Sequence, residues 1–154
     1  MVQVAIGYGG TPAEQVATKL RSYLKDEDLE VFLASPHSHD MPQGASDQEQ
    51  WQLIQKKFLE CNIIVYVCHD ETPDRSAVKA EMTFIKKHNL FNKMIIFSKS
   101  DSCIPQKAKK IWRSMHFAPE KPEESFSRLL NEIFRQHIRL SAPIQAAPAP
   151  TGGA

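Results

Sequence analysis

Residues 62–88 read N-I-I-V-Y-V-C-H-D-E-T-P-D-R-S-A-V-K-A-E-M-T-F-I-K-K-H, and the change of pattern inside them decides the fold. Asn62–Cys68 is apolar after its first residue and rich in β-branched side chains, as a strand covered on both faces should be. A polar loop with one proline follows. From Asp74 to His88 the period becomes helical. At about 100° per residue, Lys79, Thr83, Lys86 and Lys87 share one polar stripe. Ala77, Val78, Phe84 and Ile85 share the other face, and Glu81 falls in its middle.

The alternation of strand and helix extends in both directions. Gln3–Ile6, Leu29–Ala34, Met94–Phe97 and the shorter Met115–Phe117 are strand-like. Thr11-Pro12-Ala13-Glu14 matches a capping box with proline at the first helical position. Ser46-Asp47-Gln48-Glu49 is a second box, followed by Trp51, Ile54, Phe58 and Cys61 at helical spacing. Lys107–Met115 reads as a short helix. Pro122–Leu140 reads as a longer one, opened by Glu123 and Glu124, with Phe126, Leu129, Leu130, Ile133 and Phe134 on one face. The expected fold is α/β: a flavodoxin-like, doubly wound, parallel five-stranded sheet with helices on both faces. One domain is expected over residues 1–140. Residues 141–154, S-A-P-I-Q-A-A-P-A-P-T-G-G-A, read as a flexible tail or linker with nothing to bury.

Composition narrows the class. A chain of 154 residues suits one domain with a sizeable core. Nineteen Lys and Arg against eighteen Asp and Glu leave no field of one sign, so neither nucleic acid nor an anionic membrane is implied as a partner. No apolar run approaches membrane-spanning length, and the first residues lack a signal-peptide pattern. A cytoplasmic enzyme or binding domain is the default. Cys61, Cys68 and Cys103 have no C-x-x-C spacing and read as reduced, buried thiols.

A doubly wound sheet binds ligands beyond the carboxyl ends of its strands, where strand order reverses. Glu81 lies in the first two turns of the helix after the central strand, so it should reach that edge. A carboxylate centred on an apolar stripe loses solvation and needs a partner or a task. The structural alternative is an ion pair with Arg75 or Lys79, or a bond to a backbone amine. His88, two turns on, reads as a satisfied core or rim histidine. The turn Gly7-Tyr8-Gly9-Gly10 lacks both G-x-G-x-x-G and a P-loop lysine. Its amides could still receive a diphosphate at a helix start, although a tight turn explains the glycines as well. His37-Ser38-His39-Asp40 supplies too few ligands for a metal, and none is expected. Ser76 has no histidine for a hydrolase triad, which leaves it as a helix N-cap or a pocket donor.

These segments together resemble a Toll/interleukin receptor (TIR) domain over most of residues 2–140. Val4-Ala5-Ile6-Gly7-Tyr8 resembles the family's opening strand and loop. Gly44 and the run from Trp51 to Val67 resemble its second loop, second helix and central strand. Ser76 followed by Glu81 resembles its serine-to-glutamate spacing. The chain departs from the pattern at Gly7, where serine is usual, at Ala77, where an aromatic is common, and after the second strand, where Leu33-Ala34-Ser35-Pro36 lacks an acidic residue. The resemblance implies Glu81 as the catalytic residue of an enzyme cleaving NAD at the nicotinamide–ribose bond. It implies Gly7, Tyr8, Gly9, Ser35 and Ser76 around the substrate, and an assembly loop containing Pro36, His37 and Gly44. NAD would be the substrate, with no separate cofactor. Self-association, a sensor or effector partner, and a role in antiphage defence are implied at family level.

The chemistry is compatible with one carboxylate. Glycosidases generally need an acid for the leaving oxygen and a second carboxylate for the sugar. The leaving group of NAD is already a pyridinium and departs as neutral nicotinamide. What remains is a ribosyl cation, which one ionised carboxylate can stabilise. Capture by water gives ADP-ribose, and capture by the adenine of the same molecule gives a cyclic isomer. Two alternatives stand beside this reading. One is a nucleoside deoxyribosyltransferase-like enzyme, against which Val78 occupies the place of a usual glycine-threonine pair. The other is a non-catalytic TIR scaffold.

Overall fold

The apolar runs pair into one sheet in the computed structural model, which describes residues 1–109 and 113–142. The strands are β1 (Gln3–Tyr8), β2 (Glu30–Leu33), β3 (Ile63–Cys68), β4 (Met94–Ser98) and β5 (Ser114–His116). All neighbours are parallel, in the order β2-β1-β3-β4-β5. The order reverses between β1 and β3, which puts the expected ligand crevice at the ends of those two strands. The helices are α1 (Thr11–Asp26), α2 (Asp47–Glu60), α3 (Ser76–Lys87) and α4 (Phe126–Ser141).

Side chains alternate across the sheet and build two cores. Ile6, Val65, Val67 and Phe97 meet α1 and α4 on one face. Ala5, Ile64, Tyr66 and Ile96 meet α2 and α3 on the other. Central β3 is buried along its whole length, which is why its sequence shows no polar alternation. The flavodoxin-like, doubly wound α/β fold expected from the sequence is the fold observed. Among the described residues no helix is long and apolar enough to cross a membrane, and all three cysteines are free and buried.

Several local expectations are corrected. α1 starts at Thr11 itself, with Gly10 as its N-cap at φ 93° and no side-chain cap. The Thr11–Glu14 capping box therefore does not form, while the Ser46–Glu49 box does. Arg75, not Ser76, caps α3. Ala77 is exposed, and the buried face is Val78, Glu81, Met82, Phe84 and Ile85. Lys107–Met115 is no continuous helix: a 3-10 turn covers Gln106–Ala108, and Ser114 and Met115 already belong to β5. Residues 110–112 of that segment lie outside the described residues, as does the tail after Ala142. Pro122–Ser125 is a 3-10 turn leading into α4. The strand expected over Leu29–Ala34 narrows to Glu30–Leu33.

Candidate functional site

Two carboxyl groups, one on each face of the sheet, stand near the carboxyl end of β1. Glu81, 7% exposed, projects from α3 toward the sheet. The Tyr66 hydroxyl donates a hydrogen bond to its Oε1 at 2.5 Å. Gly7 makes room for that tyrosine, since a Cβ there would come within 2.6 Å of the Tyr66 ring. At Gly9 a Cβ would meet Val78 Cγ2 at 2.2 Å, so the turn after β1 packs directly on the start of α3. Neither cation considered for Glu81 reaches it: Arg75 pairs with Glu71, and Lys79 is exposed. Burial pushes the Glu81 carboxyl up to about 7, with the Tyr66 hydrogen bond pulling the other way. Burial likewise raises the Tyr66 hydroxyl, reinforced by the charge of Glu81.

Glu14 on α1 has the opposite character. Its Oε2 accepts from the Tyr8 hydroxyl at 2.9 Å and the Ser35 hydroxyl at 2.7 Å. The His37 ring nitrogen Nδ1 lies 3.3 Å from the same oxygen. Oε1 takes no hydrogen bond from the described residues. Partial burial acts to raise this carboxyl, but Ser35, Tyr8 and His37 together hold it below its ordinary range. The Tyr8 hydroxyl is pushed well up, first by burial and then by Glu14. A cavity of about 560 Å³ opens beside this group, with Glu14, Leu33, Ser35, His37, Ser38 and His39 in its walls. Glu81 is not in those walls.

The loop after β2 is fastened at its first half. Asp40 accepts from Arg21 Nε at 2.7 Å, from Arg21 Nη2 at 2.8 Å and from the Leu33 amide at 2.8 Å. Met41 is buried against Phe32 and Ala34. Pro36 is exposed, and Gly44 sits at φ 80° with nothing within 4 Å of where its Cβ would be. The loop after β3 closes the reversal point instead of leaving it open. There Thr72 Oγ1 donates to the Gly9 carbonyl at 2.7 Å and accepts from the His69 amide at 2.8 Å.

The residues expected around a substrate therefore divide. Tyr8 and Ser35 meet at Glu14, joined by His37 of the loop. Gly7 and Gly9 shape the ground under Glu81. Ser76 is exposed at the start of α3 and joins neither group. His88 caps the end of α3 with its ring centroid 4.3 Å from that of Phe84, a rim position. Glu14 is the residue that sequence reasoning missed as a site residue, because its capping-box spacing accounted for it.

No family model matches the sequence, and no curated protein matches it either. Solved structures do resemble it. A prokaryotic SEFIR domain superposes with a TM-score of 0.65 at 14% identity, covering 99% of this chain and 100% of that one. A conserved protein from Enterococcus faecalis V583 gives 0.53 at 12%, covering 88% and 99%. The 2-deoxyribosyltransferase of Bacillus psychrosaccharolyticus gives 0.51 at 13%, covering 70% and 80%. At such identities the likeness defines the fold, which is TIR-like.

Proposed function

We propose that this domain is a TIR-type NAD glycohydrolase with Glu81 as its catalytic carboxylate. One observation carries the reading. Glu81 is buried with a tyrosine hydroxyl for a partner and, among the described residues, no cation beside it. A structural ion pair would have accounted for the carboxyl, and both basic residues that could supply it point elsewhere. A shielded carboxyl with a shifted pKa near the ligand edge of a parallel sheet fits a catalytic task.

The C1′–N bond of the nicotinamide riboside breaks with its electron pair passing to the ring nitrogen, so nicotinamide leaves neutral. Glu81 faces the cation that develops at C1′. Water then bonds to C1′ and releases a proton, or an adenine nitrogen closes a ring. With its carboxyl near 7, Glu81 is about half ionised at neutral pH, and a bound pyridinium favours the ionised form. At 7% exposure, the carboxylate reaches substrate only through a local opening beside it.

The test is nicotinamide release from NAD by concentrated protein. Glu81→Gln keeps shape and hydrogen bonding, and should lower turnover by roughly 100- to 1000-fold with the fold intact. If wild-type protein assembles and releases no nicotinamide, the domain is a scaffold. If it instead exchanges the base of 2′-deoxynucleosides, it is a transferase.

A further inference from the structure

We infer that Glu14 is a ribose-binding carboxylate and that the cavity beside it holds the adenylate half of the dinucleotide. The ligand class rests on the proposed NAD chemistry, while the position of the site rests on its own geometry. Three groups from three segments converge on one oxygen of Glu14: Tyr8 ends β1, Ser35 follows β2, and His37 lies in the next loop. They fix the position of that oxygen. The other oxygen is left as an acceptor, beside a cavity of about 560 Å³, a size typical of small-molecule sites.

An oriented carboxylate at the carboxyl edge of a parallel sheet suits the hydroxyls of a ribose, which donate to it. Because three groups already hold Glu14, binding requires little further ordering. Of the basic side chains in the same walls, Lys19 pairs with Glu123 at 3.5 Å at the surface, His37 is turned to Glu14 and Arg21 is engaged by Asp40, which leaves His39 to face phosphate. Tyr8 links the two carboxyls. Its hydroxyl bonds Glu14, and its backbone carbonyl lies 3.5 Å from the Tyr66 hydroxyl that holds Glu81. A dinucleotide reaching from this cavity to Glu81 would have to displace the Thr72–Gly9 contact that closes the end of β1, and would then present one ribose to each glutamate.

The experiment is calorimetric titration of the whole chain carrying Glu81→Gln with AMP, 2′-deoxy-AMP and 3′-deoxy-AMP. AMP should bind, and loss of at least one hydroxyl should weaken it by at least about tenfold, because a desolvated acceptor is left unpaired. Adding Glu14→Gln should erase the preference for the ribonucleotide. Equal binding of AMP and both deoxy forms overturns the inference, as does a preference that survives Glu14→Gln or an absence of AMP binding at millimolar concentration. The two readings fail separately. Glu14-dependent AMP binding without nicotinamide release removes the glycohydrolase and keeps the site; nicotinamide release without ribose discrimination does the reverse.

Discussion

Glu81 and Glu14 stand near the end of the same strand, on opposite faces of the sheet, and their surroundings push them apart. Glu81 is buried on the α3 face with one hydroxyl, and its carboxyl rises to about 7. Glu14 lies on the α1 face with hydrogen bonds from Ser35, Tyr8 and His37, and its carboxyl falls below the ordinary range. The difference comes from the count of donors against the loss of water. Carboxyls separated in this way are suited to separate tasks in one reaction. Under the proposed reaction one would face a developing cation, and the other would stay ionised and receive hydroxyl groups.

The largest expected effects separate the pair kinetically. Glu81→Gln should lower kcat by roughly 100- to 1000-fold, since the lost charge acts in the transition state. Glu14→Gln should raise KM for NAD by about tenfold and leave kcat nearly unchanged, as loss of ground-state binding does. Steady-state nicotinamide release measures both. Equal losses of kcat in the two variants would merge the sites into one. In the wild type, kcat/KM should climb about tenfold per pH unit below about 7 and level off above it, because ionised Glu81 is required.

Stability should show the same opposition with signs reversed. An unfolded glutamate titrates near 4.5, while folded Glu81 titrates near 7. Between those values the unfolded chain gives up a proton that the folded chain keeps, so stability falls as pH rises. The fall amounts to about 3 kcal/mol across that window. Glu81→Gln removes it, so this variant should gain on the wild type from pH 5 to pH 8 in urea unfolding. Glu14, held low, contributes stability above its unfolded pKa that is lost as pH falls through its folded one. The deficit of Glu14→Gln should therefore shrink in acid. Parallel pH curves for both variants would show that the two environments are alike.

Half of this contrast was legible in the sequence. The helical period from Asp74 to His88 turns Glu81 inward, and the unbroken apolar run before it marks β3 as central. The partner of Glu81 was not legible, because Tyr66 hides among the apolar residues of β3 and meets Glu81 only through packing. Gly7 was read as part of the turn, and its place opposite the Tyr66 ring follows only from the β1–β3 register. Glu14 was misread for a physical reason. Thr11-Pro12-Ala13-Glu14 has the spacing of a capping box, but the chain enters α1 through Gly10 at φ 93°, which places Thr11 inside the helix. The carboxylate then turns to partners 6, 21 and 23 residues away, beyond any local pattern. β5 was displaced by one residue because the buried Phe117, which follows the strand, was counted in it, while Ser114 at its start is polar and exposed.

A smaller effect should come from closing the space under Tyr66. Gly7→Ala places a methyl 2.6 Å from the ring, with Phe58 Cζ a further neighbour at 3.4 Å. Such overpacking costs typically about 1–3 kcal/mol. The ring must shift, so the hydrogen bond to Glu81 should lengthen and the activity profile should move to higher pH. Glu14 has no contact with this space, so ribonucleotide preference should survive. An unshifted profile in a destabilised Gly7→Ala protein would detach Tyr66 from the control of Glu81.

The smallest effect on the fold is expected at Gly44, beyond the fastened half of the β2–α2 loop. A side chain there meets open space, since nothing lies within 4 Å of a Cβ, but φ 80° is a backbone conformation that an arginine rarely adopts. Left-handed backbone costs roughly 1–2 kcal/mol for an ordinary side chain, and the exposed turn can relax part of it. Gly44→Arg should therefore melt within a few degrees of the wild type. Asp40 and Met41 hold the part of the loop next to Glu14, so ribonucleotide binding by the monomer should persist. If copies of this domain assemble through the loop, the bulky cation should abolish association, and turnover should fall with it if assembly opens the way to Glu81. Sedimentation and nicotinamide release on one preparation read both quantities. A monomeric Gly44→Arg protein with full turnover would leave Glu81 accessible without assembly, and the two carboxyls would then work within a single chain.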